Sequence, residues 1–180
     1  MRGRRVKHFD VMISEQEIDR KVDEIAAKIS NDYSGESIVV IGVLTGAFIF
    51  TADLVRSLTV PVDTVDFVQV SSYEGDKSTG TLVFKKDIST DIEGKNVLIV
   101  EDIVDTGRTL KQLKKILSER NPKSIKICTA FDKPSRRVTD LVPDYNCFTI
   151  PDKFIVGYGL DYDGKYRDYK DVRIVRTDDE

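Results

Sequence analysis

From Ser14 to Ile29 the apolar residues Ile18, Val22, Ile25 and Ile29 recur at three- and four-residue steps, the spacing that keeps one face of an α-helix apolar. Ser14, with Glu17 three residues later, predicts a capping box at the start of that helix. The pattern then changes. Ile38 to Val43 is a short, continuous, mostly β-branched run, as expected of a strand covered on both faces. Thr45-Gly46 predicts a turn, and Ala47 to Leu58 a helix. The same grammar repeats: strand-like Val65 to Val70, a polar loop from Ser71 to Gly80, and a strand from Thr81 to Phe84. Further strands are expected over Val97 to Val100 and Ser124 to Phe131, with the loop Glu101 to Thr109 and a helix from about Leu110 to Glu119 between them. Strands alternating with helices predict an α/β domain with a mainly parallel sheet flanked by helices. Such sheets bind ligands at the carboxyl ends of their strands.

The length, 180 residues, fits one domain, and 40% hydrophobic with 33% charged residues is a globular composition. No apolar run reaches the roughly 20 residues of a membrane span, and the basic start MRGRRVK is not followed by an apolar signal core. A cytoplasmic protein without a membrane partner is expected. Net charge is 28 − 31 = −3 with no basic tract, which argues against nucleic acid as a partner. Cys128 and Cys147 stand alone and His8 is the only histidine, so any bound metal is expected to be a hard cation held by carboxylates.

The stretch Val97 to Thr109, Val-Leu-Ile-Val-Glu-Asp-Ile-Val-Asp-Thr-Gly-Arg-Thr, carries the most chemistry. A buried strand delivers the carboxylates Glu101 and Asp102 to its end on opposite sides of the chain direction. Asp105 follows, and then Thr106-Gly107-Arg108-Thr109 leads into a helix. Hydroxyls, a glycine and free N–H groups at a helix N-terminus suit a phosphate. Carboxylates beside a phosphate require sugar hydroxyls or a magnesium ion to reconcile the charges. The loop therefore suits a ribose 5-phosphate. The competing reading is that Asp105 or Thr106 merely caps the next helix. Neither GxxxxGK[ST] nor GxGxxG is present.

This stretch resembles the phosphoribosyl-pyrophosphate motif of the type I phosphoribosyltransferases, and nearly the whole chain is similar to their hypoxanthine-guanine branch. The resemblance implies the type I fold: one domain over residues 1–180, with a small hood over the purine site formed by the N-terminal residues and roughly residues 150–180. It implies transfer of the phosphoribosyl group from phosphoribosyl pyrophosphate to a 6-oxopurine in purine salvage, with magnesium (Mg2+), in a homo-oligomer (dimer or tetramer). Glu101, Asp102, Ile103, Val104, Asp105, Thr106, Gly107, Arg108 and Thr109 would bind the phosphoribosyl group. Asp105 would be the general base near the purine N7.

Resemblance also implies a pyrophosphate-binding loop at Leu44-Thr45-Gly46, often with a non-proline cis peptide, and many relatives carry Lys where this chain has Thr45. Ser72 and Tyr73 match a lid, which would shield a water-sensitive cationic sugar centre. In Pro151 to Asp168, Phe154 would stack on the purine and the backbone of Lys153 and Ile155 would read its edge. Asp161 would bind a second magnesium or the purine 2-position, and Arg167 would meet pyrophosphate. Lys133 would donate to O6, favouring 6-oxopurines over adenine. Glu101, Asp102 and Asp161 would thus be the metal ligands. Taken singly, Phe154 reads as a core aromatic, and Lys133 and Arg167 as solvated charges. Rival readings are a regulator that senses the sugar phosphate without turnover, an oxidoreductase on a doubly wound sheet, and the same transfer to xanthine or adenine.

Overall fold

The computed structural model describes residues 6–72 and 82–177. Strand β1 (Val6–Ile13) leads into helix α1 (Glu15–Asp32). The expected capping box is present: the Glu17 N–H donates to Ser14 Oγ at 3.3 Å and the Ser14 N–H to Glu17 Oε2 at 2.9 Å. Then come β2 (Ile38–Leu44), α2 (Phe48–Ser57), β3 (Val62–Ser72) and β4 (Leu82–Lys86). The second half holds β5 (Asn96–Val104), α3 (Arg108–Ser118) and β6 (Ser124–Asp132), followed by a short 3-10 turn (Pro134–Arg136). Strands β7 (Tyr145–Thr149), β8 (Ile155–Val156) and β9 (Val172–Thr177) complete it.

Six strands form the main sheet in the order β4-β3-β2-β5-β6-β7. All neighbours are parallel except β4, which runs antiparallel to β3. The chain leaves β2 toward β3 on one side and returns to β5 on the other. Strand order therefore reverses between β2 and β5, and the crevice outside their carboxyl ends is the natural ligand position. Alternation along the strands divides the core. Val40, Leu98 and Val100 pack with α1 and α2, whereas Val39, Ile41 and Ile99 join Leu113 and Leu117 of α3 on the opposite face. Each such fully buried aliphatic side chain contributes about 1.5–3 kcal/mol. That double covering explains why β2 and β5 read as unbroken apolar runs.

Buried Asp66 on β3 anchors the β4–β5 connection. Its carboxylate accepts the N–H groups of Phe67, Ser89 and Thr90 at 2.7, 2.7 and 2.9 Å, and Lys86 Nζ at 3.0 Å.

A second, antiparallel sheet, β1-β9-β8, joins the two ends of the described chain: Phe9 lies opposite Val175, and Ile155 opposite Ile174. It is tied to the main body through Tyr158, whose hydroxyl donates to Asp53 Oδ2 of α2 at 2.9 Å.

Several boundaries differ from the sequence expectation. Strand β5 does not stop at Val100, because pairing with β6 continues to Val104 opposite Asp132. Glu101 and Asp102 are thus strand residues. Helix α3 starts at Arg108 with Gly107 as its N-cap, at φ 79° and without a side-chain cap, so neither Asp105 nor Thr106 is the N-cap, although Thr106 Oγ1 accepts the Arg108 N–H at 3.4 Å. Ser71 and Ser72 end β3, whereas Tyr73 and the rest of the expected polar loop lie outside the described residues. Strands β1, β7, β8 and β9 have no counterpart in the sequence reading.

Candidate active site

Strand β5 ends in the crevice. Alternation sends Asp102 toward a cavity of about 440 Å³ and Glu101 toward an adjoining one of about 120 Å³. The pair is half-buried. Burial, followed by the neighbouring Asp102 charge, pushes the Glu101 carboxyl well above its usual range, and burial also raises Asp102. Both shifts run in the direction that disfavours two neighbouring charges, and a bound cation would relieve the same repulsion.

The smaller cavity is lined by Glu101, Ile103, Val104, Asp105, Thr106, Gly107, Thr109 and Leu110. It is a concave turn running into the N-terminus of α3, where unpaired helical N–H groups favour an anion. Every residue of the expected phosphoribosyl loop beyond Asp102 lines it except Arg108, whose neighbours Lys111 and Lys115 share a separate groove with it on the outer face of α3.

Strand β2 delivers the neighbouring loop. The Leu44–Thr45 peptide is cis, and Gly46 comes so close to β5 that a Cβ there would lie 1.6 Å from Asp102 Oδ2. Arg167 reaches the same corner. Its Nη1 donates to the Gly159 carbonyl at 2.6 Å and its Nη2 pairs with Asp161 at 2.7 Å, and its charge draws the Asp102 carboxyl downward against the effect of burial. Asp161 also accepts the Gly164 N–H at 2.8 Å.

The larger cavity is lined by Asp102, Ile103, Asp105, Lys133, Arg136, Asp152, Lys153, Phe154, Ile155, Leu160 and Asp161. Two readings of isolated residues are overturned here. Phe154 is 54% exposed, so it is no core aromatic, and Lys133 is only 8% exposed, so it is no solvated surface charge. Lys133 Nζ donates to the Lys153 carbonyl at 2.6 Å. Burial holds its ammonium below the ordinary value although Asp105 and Asp152 act the other way. Asp105 accepts Arg136 Nε at 2.9 Å, and Arg136 Nη1 lies 3.5 Å from Asp152.

Of the expected set, the fold gathers Glu101, Asp102, Ile103, Val104, Asp105, Thr106, Gly107, Thr109, Thr45, Gly46, Lys133, Lys153, Phe154, Ile155, Asp161 and Arg167 around one crevice, and leaves Arg108 in the outer groove of α3. Ser72 ends β3, and Tyr73 is outside the described residues. Sequence reasoning missed Arg136 and Arg137. Two adjacent arginines after a strand look like surface charge, and nothing in their spacing marks them otherwise.

Residues 12–163 match the phosphoribosyl transferase domain family. A hypoxanthine phosphoribosyltransferase of Salmonella typhimurium is 48% identical over 166 residues, covering 90% of this chain and 93% of its own. A hypoxanthine-guanine phosphoribosyltransferase of Aquifex aeolicus is 47% identical over 177 residues, 97% of each chain. The crystal structure of a hypoxanthine-guanine phosphoribosyltransferase from Bacillus anthracis superposes with a TM-score of 0.89 at 46% identity, covering 97% of this chain and 100% of the other. With its switch-point crevice and acidic strand end, the chain belongs to the phosphoribosyltransferase family and has the type I fold. Within that family its similarity is to the hypoxanthine-guanine phosphoribosyltransferases.

Proposed function

We propose that this protein is a purine-salvage enzyme that transfers the 5-phosphoribosyl group of phosphoribosyl pyrophosphate to N9 of hypoxanthine or guanine, giving IMP or GMP and pyrophosphate. The observation that carries this reading is the pair of adjoining cavities, one walled by a phosphate-type turn and the other by Lys133, Asp105 and the exposed ring of Phe154. Their common wall is the end of β5, where the reacting sugar carbon would lie.

In this reading the 5-phosphate is held by the turn from Asp105 to Thr109, and the ribose hydroxyls donate to Glu101 and Asp102. Phe154 stacks on the base, the Lys153 and Ile155 backbone reads its edge, and Lys133 exchanges the Lys153 carbonyl for the purine O6. As N9 attacks the anomeric carbon, the bond to pyrophosphate breaks and Asp105 takes the proton at N7. One Asp105 oxygen is held by Arg136, and the carboxylate has further lone pairs for N7–H. Nearby carboxylates favour the positive charge developing on the sugar, and Arg167, with Thr45 and Gly46, meets the departing pyrophosphate. Ser72 and Tyr73 would cover the site.

Magnesium fits the donor set at β5. Glu101 and Asp102 offer hard oxygens whose desolvation and mutual repulsion favour a cation. Magnesium takes one or two carboxylates and completes its shell with water and phosphate oxygens; among the described residues no three acidic, His or Cys groups converge. Asp161 would have to release Arg167 to join. When bound, magnesium would neutralise the pyrophosphate.

This reading also places the enzyme in the cytoplasm as a homo-oligomer, with neither nucleic acid nor membrane as partner. No helix among the described residues is long and apolar enough to cross a membrane.

The test is nucleotide formation from phosphoribosyl pyrophosphate with hypoxanthine, guanine, xanthine or adenine, with and without magnesium, beside Asp105→Asn. The expected result is magnesium-dependent turnover of 6-oxopurines that drops about 10²-fold in the variant. Binding of phosphoribosyl pyrophosphate without turnover of any base would favour the sensor reading instead.

A further inference from the structure

Arg137 is nearly enclosed, its side chain 10% exposed, and its partner Asp132 at the end of β6 is 12% exposed. Buried arginine is retained where its planar fork is used, and here every arm is. Nη2 pairs with Asp132 and lies 3.4 Å from the Val104 carbonyl, Nε donates to the Asp105 carbonyl at 3.0 Å, and Nη1 donates to the Leu141 carbonyl. The flanking backbone joins in. The Lys133 N–H donates to the Val104 carbonyl at 2.9 Å and the Val138 N–H to the Thr106 carbonyl at 3.1 Å. Three successive carbonyls, Val104, Asp105 and Thr106, are therefore held from one side by the segment 133–138. A turn whose carbonyls face one way presents its N–H groups the other way, as a concave nest for an anion. Arg137 also lies beneath Gly107, where an added Cβ would come within 2.8 Å of Arg137 Cδ.

We propose that Arg137, fixed by Asp132, is a positioning residue for the 5-phosphate: it grips the loop Val104–Gly107 from behind and holds its N–H groups in the shape that binds phosphate. Arg137 touches no substrate. Its charge matters less than its fork, because a lysine ammonium cannot reach the Val104, Asp105 and Leu141 carbonyls and Asp132 together. The inference rests on the reading of the smaller cavity as the phosphate site.

The experiment compares IMP with inosine, which lacks the phosphate, by calorimetry on the wild type, Arg137→Lys and Asp132→Asn, at a temperature where circular dichroism shows all three folded. The ratio of the two dissociation constants reports the phosphate contribution alone. In wild type IMP is expected to bind far more tightly than inosine. Arg137→Lys is expected to shrink that ratio about tenfold or more, as loosened positioning does, with inosine affinity nearly unchanged. Asp132→Asn keeps the shape but not the charge and shrinks the ratio less, and it carries the test if Arg137→Lys does not fold. A ratio unchanged in the folded variants, even with a lowered melting temperature, would reduce Arg137 to a structural support and overturn the proposal. So would equal losses for IMP and inosine, which would place its effect on the base. A wild-type ratio near one would instead count against the phosphate site itself.

Discussion

The α-carbon of Gly159 rests on the backbone carbonyl of Gly46: a Cβ added at Gly159 would lie 2.1 Å from that oxygen, and the residue sits at φ 96°. The same Gly159 offers its own carbonyl to Arg167 at 2.6 Å. The loop after β2 and the segment after β8 are thus in register across the crevice through backbone alone.

Gly159→Ala therefore cannot be absorbed by a side-chain rotation. It is expected to cost about 3 kcal/mol of stability, from the left-handed backbone and the clash together. Because the displaced parts are Gly46 and Arg167, kcat/KM for phosphoribosyl pyrophosphate should fall about 10²-fold even in protein that is fully folded. Thermal melting combined with initial rates would check both; a variant with normal rates would separate this contact from the reaction.

Phe154 invites the opposite expectation. Its ring meets Tyr162 edge-on, with centroids 5.4 Å apart, but it belongs to no core cluster. Phe154→Ala should leave the melting temperature nearly unchanged and raise KM for hypoxanthine about tenfold, the magnitude of one lost base–aromatic stack. A large stability loss with an unaltered KM would show that the ring packs rather than binds.

The Asp66 anchor predicts a pH effect. Burial acts to raise this carboxyl, but the N–H donors of Phe67, Thr90 and Ser89, with Lys86, outweigh it and hold it well below the usual carboxylate range. A depressed folded value means stability that is fully present above the unfolded value, near pH 4, and lost as pH falls below it. Asp66→Ala should cost about 3 kcal/mol at pH 7 by stranding its donors, and the gap between variant and wild type should narrow from about pH 4 downward. Urea unfolding at several pH values would measure it; a gap independent of pH would refute the ionic account.

What could be read in the sequence follows from which signals are local. The capping box at Ser14 and Glu17 and the apolar runs of β2, β5 and β6 depend on neighbours along the chain or on full burial, and both leave a compositional trace. Strands β1, β8 and β9 leave little. Val172 to Thr177 interleaves arginine with valine, and β8 has two residues, so these strands exist only through pairing with distant partners. The true end of β5 was hidden for the same reason, since Glu101 to Val104 are kept extended by β6. Among site residues, the acidic loop announced itself by its order, whereas Phe154 and Lys133 needed the resemblance to gain meaning. Arg137 acts through carbonyls that no sequence pattern specifies.

The pairing of β1 with β9 bears on the order of assembly. Phe9 and Val175 meet across nearly the whole chain, and closing so long a loop is entropically slow compared with joining the nearer strands β2, β5 and β6. In pulse-labelled hydrogen exchange during refolding, the amides of Val40 and Leu98 should gain protection before those of Phe9 and Val175; simultaneous protection would contradict this order. A chain emerging from the ribosome meets the same constraint, since β1 waits for β9 to be made. The turn after β5 then takes shape before the wall that carries Phe154 and Ile155, since β8 is held only by β9, so on the proposed reading selectivity between bases is acquired after the grip on the sugar phosphate.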